Sequence, residues 1–249
     1  MADVDNLRVV LVATRNPLNI GAAARALSNF GVLRLRLVNP YDAAFREARS
    51  AVGASELLAK AEQYKDVGEA VADCRLVVGT TAGAKRDLQQ RLLRLETGAR
   101  TIKQQLKTAP VALLFGSERY GLSNEELSHC HWVMRIPTRE EHGSMNLGQA
   151  VAVCLYELVR GRQVISSKIT SGKKETASAT SGEVGRVTDS LFQVLEASGY
   201  VKPRAAAGTK ENLRRMIRRM KLNVEDTDMW LGMLRQMGWK LGVQEKKGK

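Results

Sequence analysis

Segments with the pattern of buried strands alternate with helical segments over the first 160 residues, and this alternation restricts the possible folds most. The strand-like segments are 8–15, 33–40, 75–83, 109–118 and 132–138. The helical segments are 19–30, 47–61, 66–74 and 146–160, with a further basic and mostly helical stretch after residue 83. Strands that alternate with helices form a mostly parallel sheet covered on both faces. The sequence therefore predicts an α/β domain.

A polar stretch separates this region from a helical C-terminal part. Residues 166–183 are rich in Ser, Thr, Lys and Gly and lack hydrophobic periodicity, which predicts a flexible linker. Three helical patterns follow, at about 184–198, 209–221 and 226–240. We therefore divide the chain into a domain at 1–162, a linker at 163–183 and a small all-helical extension at 184–249.

The net charge of +13 is concentrated in the C-terminal part. Residues 1–160 contain 21 Lys and Arg against 17 Asp and Glu, whereas residues 161–249 contain 18 against 9. The pattern at 209–221 predicts an apolar stripe of Leu213, Met216, Ile217 and Met220, with a guanidinium-rich face of Arg214, Arg215, Arg218 and Arg219. Such an excess favours nucleic acid, through attraction to phosphates and release of counterions. The alternative is a solubilising tail.

Several classes of protein are disfavoured. No apolar run approaches the roughly 18 residues that a membrane helix needs, and the N-terminus lacks a signal-peptide pattern. Three widely spaced cysteines predict neither a disulfide framework nor paired metal ligands. His129 and His131 flank Cys130 without further ligands nearby in the sequence, which argues against a metal site. We expect a cytoplasmic protein with no membrane or metal partner.

The first motif is NPLNIGAAARALSNFG, residues 16–31. On a helix, the neighbours of Arg25 at three and four residues are small or polar: Gly21, Ala22, Ser28 and Asn29. Arg25 can therefore stay exposed on a low face that a phosphate, a substrate or another backbone can approach. The alternative is a surface arginine paired with an acidic neighbour. A dinucleotide-binding fingerprint needs three glycines, and this motif has one, so it does not indicate an NAD site.

The second motif is LLFGSERYGLS, residues 113–123, in which an apolar strand ends at Gly116. Ligands in open α/β sheets bind beyond the carboxyl ends of strands, where glycines let backbone amides approach. Ser117, Glu118 and Arg119 follow at that position. The alternative is a strand-to-helix turn with a local Glu–Arg pair.

The third motif is IPTREEHGSMNLGQAVAVCLYEL, residues 136–158. Ser144 and Asn146 stand between a strand and a helix of small and apolar residues, where they either line a site or cap the helix. His142 is a candidate base or a solvated loop histidine.

In this order and at these separations, the three motifs resemble those of the SpoU/TrmH branch of the SPOUT RNA 2′-O-methyltransferases. The resemblance covers residues 7–160. The segment NLRRMIRRMKLNVEDTDMWLGML, residues 212–234, is similar to the C-terminal extension of the TrmJ-type tRNA (cytidine/uridine-2′-O-)-methyltransferases.

The resemblance implies the SPOUT fold, with a deep C-terminal trefoil knot that binds S-adenosyl-L-methionine, and a homodimer with active sites at its interface. The cofactor-binding positions that it implies are Thr80, Thr81, Ala82, Gly116, Ile136, Gly143, Ser144 and Met145. The catalytic positions are Arg25, Asn19, Ser144, Glu118 and Asn146. Arg25 also binds RNA in this interpretation, together with the arginines of 209–221.

The implied reaction is methyl transfer to a ribose 2′-hydroxyl, with cytidine or uridine at nucleotide thirty-two of the tRNA anticodon loop as the expected target. Two alternatives stay open, a ribosomal-RNA ribose methyltransferase and a non-catalytic RNA-binding protein on the same scaffold. A flavodoxin-like nucleotide-binding protein is disfavoured because the loops offer neither a phosphate loop nor a flavin-stacking aromatic residue.

Overall fold

A parallel sheet forms the centre of the N-terminal part of the molecule. The computed structural model of the chain describes residues 4–41, 55–82, 88–139, 141, 143–160 and 177–243. Within these residues the sheet has seven strands in the order β3-β2-β1-β6-β4-β7-β5, and all recorded pairings are parallel. The strands are β1 Leu7–Val12, β2 Leu35–Val38, β3 Glu62–Tyr64, β4 Leu76–Thr80, β5 Leu92–Arg94, β6 Val111–Phe115 and β7 Trp132–Arg135.

Helices cover both faces of the sheet, as expected for parallel strands. They are α1 Pro17–Asn29, α2 Ser55–Ala59, α3 Val67–Ala70, α4 Leu95–Gln105, α5 Asn124–Ser128 and α6 Leu147–Val159. One core joins α1, α4 and α6 to residues such as Leu11 and Leu113. The opposite core joins α3 and α5 to residues such as Val10 and Leu114. Neighbouring residues of β1 and β6 thus enter different cores, which confirms the predicted α/β class.

The two strands that the sequence pattern missed lie at the edges of the sheet. The edge strand β3 has the sequence Glu-Gln-Tyr and β5 has the sequence Leu-Leu-Arg, and neither contains a fully buried residue. Three residues with exposed or half-buried side chains carry too little periodicity to be distinguished from a loop. The stretch after residue 83, predicted to be mostly helical, therefore contains β5 before α4 begins. Residues 47–54 of the predicted helix 47–61 lie outside the described residues.

The cysteines agree with the absence of a disulfide framework that the sequence indicates. Cys74, Cys130 and Cys154 are all buried and carry free thiols. Burial raises the pKa of Cys154 to about 12. It also raises the pKa of Cys74, with the neighbouring Asp73 charge acting in the same direction. Thiols held this far from ionisation are core side chains rather than nucleophiles.

The chain divides into two compact units, a first of 1–170 and a second of 171–249. The second unit contains α7 Ser181–Ala197, a short 3-10 turn at Pro203–Ala205, α8 Ala206–Arg219 and α9 Val224–Lys240. Its core includes Val187, Ile217 and Leu234. The three predicted helices are therefore present, each beginning two to three residues earlier than the pattern suggested.

The end of the predicted linker needs correction. Thr180 and Glu183 form a capping box at the start of α7, and Ser178 pairs with Asn223 in an antiparallel bridge. Residues 177–183 therefore belong to the helical unit, because the capping hydrogen bonds extend α7 into a Ser/Thr-rich sequence. Residues 163–176 of the predicted linker lie outside the described residues.

The predicted arginine face of α8 also needs correction. Arg218 is only 6% exposed and donates a hydrogen bond to the Ser181 hydroxyl at 3.3 Å. Arg215 pairs with Glu211 at 3.5 Å and Arg214 is half-buried, so Arg219 is the most exposed of the four. Conversely, Met216 and Met220 of the predicted apolar stripe are largely exposed. The face of α8 that packs against α7 is therefore rotated relative to the predicted apolar stripe, and Arg218 lies on it together with Ile217.

Among the described residues, no helix is long and apolar enough to span a membrane.

Candidate active site

A cavity of about 800 Å³ opens beyond the carboxyl ends of β4, β6 and β7. Four loop segments surround it: 80–82 after β4, 116–122 after β6, 134–138 at the end of β7 and 143–147 before α6. Its size and position are typical of ligand sites in open α/β sheets. Its lining combines small and apolar residues with polar residues that converge from different loops.

The structure brings together in this cavity all eight residues that the sequence analysis assigns to cofactor binding. They are Thr80, Thr81, Ala82, Gly116, Ile136, Gly143, Ser144 and Met145. Asn19, Glu118 and Asn146 from the predicted catalytic set line it as well. Residues from four separate segments of the chain therefore share one cavity wall.

Hydrogen bonds between neighbouring loops hold the cavity in shape. The Thr80 hydroxyl donates to the Leu114 carbonyl oxygen at 2.9 Å, and the Thr81 N–H donates to the Met134 carbonyl oxygen at 3.0 Å. These two bonds connect the loop after β4 to both neighbouring strands. Because both donors belong to cavity-lining residues and both acceptors to strands, the hydrogen bonding of the sheet continues into the cavity wall.

The turn after β6 is folded tightly on itself, and Gly116 makes that possible. A Cβ at this position would lie 2.1 Å from the carbonyl carbon of Gly121, a backbone atom that cannot move aside. Ser117 and Gly121 form a bridge, and Gly121 has a φ of 66°, in the left-handed region. The two glycines of the second motif thus fix the direction in which the side chains between them point.

A chain of side-chain hydrogen bonds connects the three sequence motifs. The Asn19 amide group donates to Glu118 Oε1 at 3.0 Å, and the Asn146 amide group donates to Asn19 Oδ1 at 2.7 Å. Glu118 also accepts bonds from the backbone N–H groups of Arg15 and Asn16 at 3.4 and 3.3 Å. This network fixes the β1–α1 loop, the turn after β6 and the start of α6 relative to one another.

The Glu118 carboxylate is held in its ionised form. Partial burial raises its pKa, but hydrogen bonds from Asn19 and from the backbone lower it by more, so the net shift is downward. A carboxylate with a lowered pKa is not suited to accept a proton at neutral pH. The Glu118 carboxylate oxygens accept hydrogen bonds from residues of the first motif. The local Glu–Arg pair considered for this turn is therefore not the main contact of Glu118. We therefore interpret Glu118 as a positioning residue.

Asn146 satisfies both interpretations of the third motif. Its Oδ1 accepts from the Gly148 and Gln149 N–H groups at 2.9 and 3.4 Å, which makes it the N-cap of α6. Its amide group simultaneously faces Asn19 across the cavity wall. Ser144, two residues earlier, lines the cavity with an exposed side chain.

Arg25 is exposed on α1, as its small neighbours predict, and it does not line the cavity of its own chain. It shares a face of α1 with Leu18, Ala22 and Asn29, all of them exposed. Ala22 also marks the close approach of α1 to α6, because a Cβ on Gly148 would lie 2.6 Å from the Ala22 Cβ. The small residues around Arg25 therefore allow two helices to pack closely beside it.

Two large apolar side chains border this face without being buried. Leu18 on α1 is 78% exposed, and Tyr156 on α6 is 57% exposed. Tyr156 is held by an edge-to-face contact with Phe30 at the end of α1, with ring centroids 6.5 Å apart. A flat surface of small residues bordered by exposed apolar ones is typical of a protein–protein interface.

Sequence reasoning missed the exposed aromatic residue of the cavity. Tyr120 lies on the turn after β6 and lines the cavity together with Arg119. Its position between Gly116 and Gly121 was a usable signal, because a residue inside a tight turn is exposed. His142 lies outside the described residues. Within the part of the chain that the structure describes, no three His, Cys, Asp or Glu side chains are close enough to hold a metal ion.

Comparison with known proteins gives consistent matches. The profile of the SpoU rRNA methylase family matches residues 6–156. The tRNA (cytidine/uridine-2′-O-)-methyltransferase TrmJ of Sodalis glossinidius is 37% identical over 232 residues, which cover 92% of this chain and 90% of that protein. The enzyme of the same name from Pectobacterium atrosepticum is 33% identical over 235 residues, with 93% and 96% covered.

Solved structures are similar as well. The crystal structure of TrmJ from Z. mobilis superposes with a TM-score of 0.79 at 31% identity, covering 92% of this chain and 98% of that one. The SpoU methyltransferase AviRb from Streptomyces viridochromogenes, in complex with AdoMet, superposes with a TM-score of 0.50 at 25% identity, covering 66% and 60%.

Proposed function

Since this chain belongs to the SpoU methylase family, we propose that it transfers a methyl group from S-adenosyl-L-methionine to a ribose 2′-hydroxyl of tRNA. Relatives that match over nearly their whole length are named for methylation of cytidine and uridine, and this supports the same two nucleotides as targets. Within that class we take nucleotide thirty-two of the anticodon loop as the target. A tRNA substrate implies action in the cytoplasm.

The observation that carries this proposal is the Glu118–Asn19–Asn146 network beside the 800 Å³ cavity. It joins three motifs that are separate in sequence at the edge of the sheet where α/β proteins bind ligands. A protein that used the scaffold only for stability would not need polar groups from three loops to converge on an open cavity.

The lining of the cavity fits S-adenosyl-L-methionine. Leu122, Met134 and Ile136 offer an apolar wall for an adenine ring, and the loops at 80–82 and 143–145 present backbone polar groups. The Glu118 carboxylate is the acidic group of the described lining, and it is already bonded to N–H donors. When bound, the cofactor supplies an electrophilic methyl group. The superposition with an AdoMet-bound SpoU methyltransferase supports this assignment.

We extend the proposal to the chain path and place a deep trefoil knot in the first unit. Its support is the seven-strand order β3-β2-β1-β6-β4-β7-β5 and the similarity to a TrmJ structure over 92% of this chain. In this arrangement the knotted part of the chain comprises the loops that line the cavity.

Arg25 acts on the RNA in this proposal. A guanidinium remains protonated at ordinary pH and is a poor base, but it binds phosphate strongly and in a defined orientation. We assign to Arg25 the binding of the phosphate next to the target ribose, which orients the 2′-hydroxyl for attack. Orientation of this kind lowers a reaction barrier by several kcal/mol.

Arg25 reaches the reacting atoms across a dimer interface in this account. It does not line the cavity of its own chain, its helix face carries the exposed Leu18, and the exposed Tyr156 of α6 packs on Phe30 at the other end of α1. Two copies that pair through this face would bury these side chains and bring Arg25 of one protomer to the cavity of the other. Twofold pairing through one shared face is the commonest symmetry of soluble oligomers.

Methyl transfer by the purified protein tests the proposed function. The protein is incubated with S-adenosyl-L-methionine carrying a labelled methyl group and with tRNA or ribosomal RNA, and the nucleosides are analysed by mass spectrometry. We expect labelled 2′-O-methylcytidine or 2′-O-methyluridine from tRNA. Label in ribosomal RNA alone would favour the ribosomal-RNA alternative, to which the description of the family profile points. Calorimetry that shows no cofactor binding, together with no label, would support a non-catalytic RNA-binding protein.

A further inference from the structure

The mouth of the cavity carries an aromatic ring paired with a guanidinium. The Arg119 guanidinium lies over the Tyr120 ring, 5.1 Å from its centroid. Despite this contact Tyr120 remains 69% exposed, so much of the ring faces solvent. Phe115, the other aromatic residue of the described lining, is buried in the core. Tyr120 is therefore the aromatic surface that a ligand entering the cavity meets.

The turn fixes the position of this ring. The Tyr120 N–H donates to the Ser117 hydroxyl at 3.3 Å, and the Gly121 N–H donates to the Ser117 carbonyl oxygen at 2.8 Å. Glu118, on the same turn, is attached to the β1–α1 loop through Asn19. The backbone that carries Tyr120 is thus held to the cavity wall from both sides. A ring on a rigid turn binds a ligand at a lower entropic cost than a ring on a mobile loop.

Base stacking matches this chemistry. A nucleobase stacks on an exposed aromatic side chain with a gain of about 1–3 kcal/mol, and arginine adds contacts to phosphates or to the ring faces. An enzyme that acts on a ribose hydroxyl must also hold the attached base, since a freely rotating nucleotide would not present its hydroxyl in a fixed direction. Asn19 and Asn146, the two side-chain amides of the lining, are already engaged in hydrogen bonds with Glu118 and with each other.

Resting on the function proposed above, we propose that Tyr120 is a stacking surface for the base of the methylated nucleotide and that Arg119 binds an adjoining phosphate. Stacking on a tyrosine does not distinguish cytosine from uracil, which agrees with an enzyme that accepts both pyrimidines. The two residues bind RNA and do not contribute to holding the cofactor.

The test combines a protein variant with a modified RNA. Wild-type protein and Tyr120→Ala are assayed on tRNA with either the normal base or an abasic ribose at the nucleotide that the wild type methylates. We expect Tyr120→Ala to lower kcat/KM about tenfold on normal tRNA, the change that corresponds to 1.4 kcal/mol of lost stacking. On abasic tRNA the wild type and the variant should be nearly equal, because the partner of the ring is absent.

Further variants separate stacking from other effects. Tyr120→Phe keeps the ring and should retain activity. Leu33→Ala removes a 65% exposed side chain just before β2, at the amino ends of the strands and away from the cavity, and should behave as wild type. Arg119→Ala should weaken tRNA binding and reduce its salt dependence by about one counterion. Calorimetric affinity for S-adenosyl-L-methionine should be unchanged in all of them.

The outcomes of this test distinguish the inference from the proposed function. Equal kcat/KM for wild type and Tyr120→Ala on normal tRNA would overturn the stacking role, while the proposed function would stand. The same tenfold loss on normal and abasic tRNA would also overturn it, since the ring would then act without the base. Absence of methyl transfer by the wild type would overturn the proposed function itself.

Discussion

The Glu118 carboxylate accepts hydrogen bonds from donors that lie between 99 and 103 residues earlier in the chain. One side chain thereby fixes the start of the first motif against the turn of the second. A carboxylate that lines a cavity is also a candidate general base. Its lowered pKa and its saturation with N–H donors instead make it a group that holds Asn19, and through Asn19 also Asn146, in position.

Glu118→Gln should therefore lower both thermal stability and methyl transfer. An amide retains one acceptor but directs its NH₂ group at donors, and displacement of Asn19 can reduce the rate by up to about 100-fold. Stability measured by thermal unfolding should fall, whereas Glu196→Gln, at an exposed carboxylate near the end of α7, should have little effect.

The effect of Glu118→Gln should depend on pH with a defined sign. Because folding lowers the pKa of Glu118 below its ordinary 4.5, the ionised carboxylate stabilises the fold above that value. The contribution is lost as pH falls through the lowered pKa. The difference in Tm between wild type and Glu118→Gln should be constant near neutrality and shrink below pH 4.5. A difference that grows on acidification would contradict this account of the network.

Helices α1 and α6 approach closely at Ala22 and Gly148, where a single methyl group would not fit. The α6 helix begins at the cavity, with Asn146 as its N-cap, and α1 begins just after the loop that Glu118 holds. The contact between these helices therefore sets the spacing between the first and third motifs. Packing at this crossing connects the stability of the domain to the geometry of its cavity.

Gly148→Ala should destabilise the protein by about 1–3 kcal/mol, the usual cost of an extra methyl group in a close-packed contact. Adding Ala22→Gly removes the colliding methyl group and should recover most of the loss, apart from about 0.5–1 kcal/mol for glycine in a helix. The control is Gly185→Ala on α7, where the added methyl group meets no atom within 4 Å. Thermal unfolding of the wild type and the three variants decides the matter, and a failure of Ala22→Gly to rescue would contradict this contact.

The two faces of α8 make a separate prediction about RNA. Arg218 is buried against α7, whereas Arg219 is exposed. Arg218→Ala should lower the stability of the helical unit, because it leaves the Ser181 hydroxyl without its guanidinium donor. Arg219→Ala should leave stability unchanged and weaken tRNA binding with a smaller salt dependence. Unaltered tRNA affinity at low salt for Arg219→Ala would remove this helix from the RNA-binding surface.

Central elements of the fold are predictable from sequence because burial leaves a strong pattern. Strands β1, β4 and β6 consist largely of fully buried apolar residues, and the capping box of Ser123 and Glu126 follows the Ser-x-x-Glu pattern typical of a helix start. The edge strands β3 and β5 carry no such pattern. The burial of Arg218 was equally unpredictable, since a helix with both methionines and arginines on adjacent faces can dock in more than one rotation.

The sequence indicated which residues line the cavity but not the hydrogen bonds between them. Glycines and polar residues directly after strands mark the loops at its edge, and their sequence order pointed to one family. Nothing in the sequence pairs Glu118 with Asn19, because a contact across 99 residues depends on the strand order. The position of Tyr120 between two glycines signals an exposed turn residue, but its place in the cavity lining depends on the fold.

The whole molecule consists of an α/β unit with the cavity and a basic helical unit. In our account neither Arg25 nor the cavity is sufficient alone, since Arg25 lies outside the cavity of its own chain. In this proposal the active unit is therefore the dimer. This makes the pairing of two chains a condition for activity rather than an addition to it.

Mixing two inactive variants tests this arrangement. Arg25→Ala lacks the proposed phosphate-binding group, and Ser144→Trp is designed to fill the cavity while Arg25 is intact. Each should be inactive alone. After subunit exchange, half of the dimers carry one complete site of two, so an equal mixture should regain about a quarter of wild-type activity. Exchange is checked by mass spectrometry of differently tagged chains, and no recovery in exchanged dimers would show that Arg25 does not act in the partner's cavity.

The proposed reaction is methyl transfer to a tRNA ribose. Its most direct test is mass spectrometry of tRNA nucleosides from cells with this gene, without it, or with Arg25→Ala in its place. We expect one 2′-O-methylated pyrimidine to disappear from tRNA when the gene is absent and to be almost lost with Arg25→Ala. Unchanged 2′-O-methylcytidine and 2′-O-methyluridine in tRNA from cells lacking the gene would contradict it.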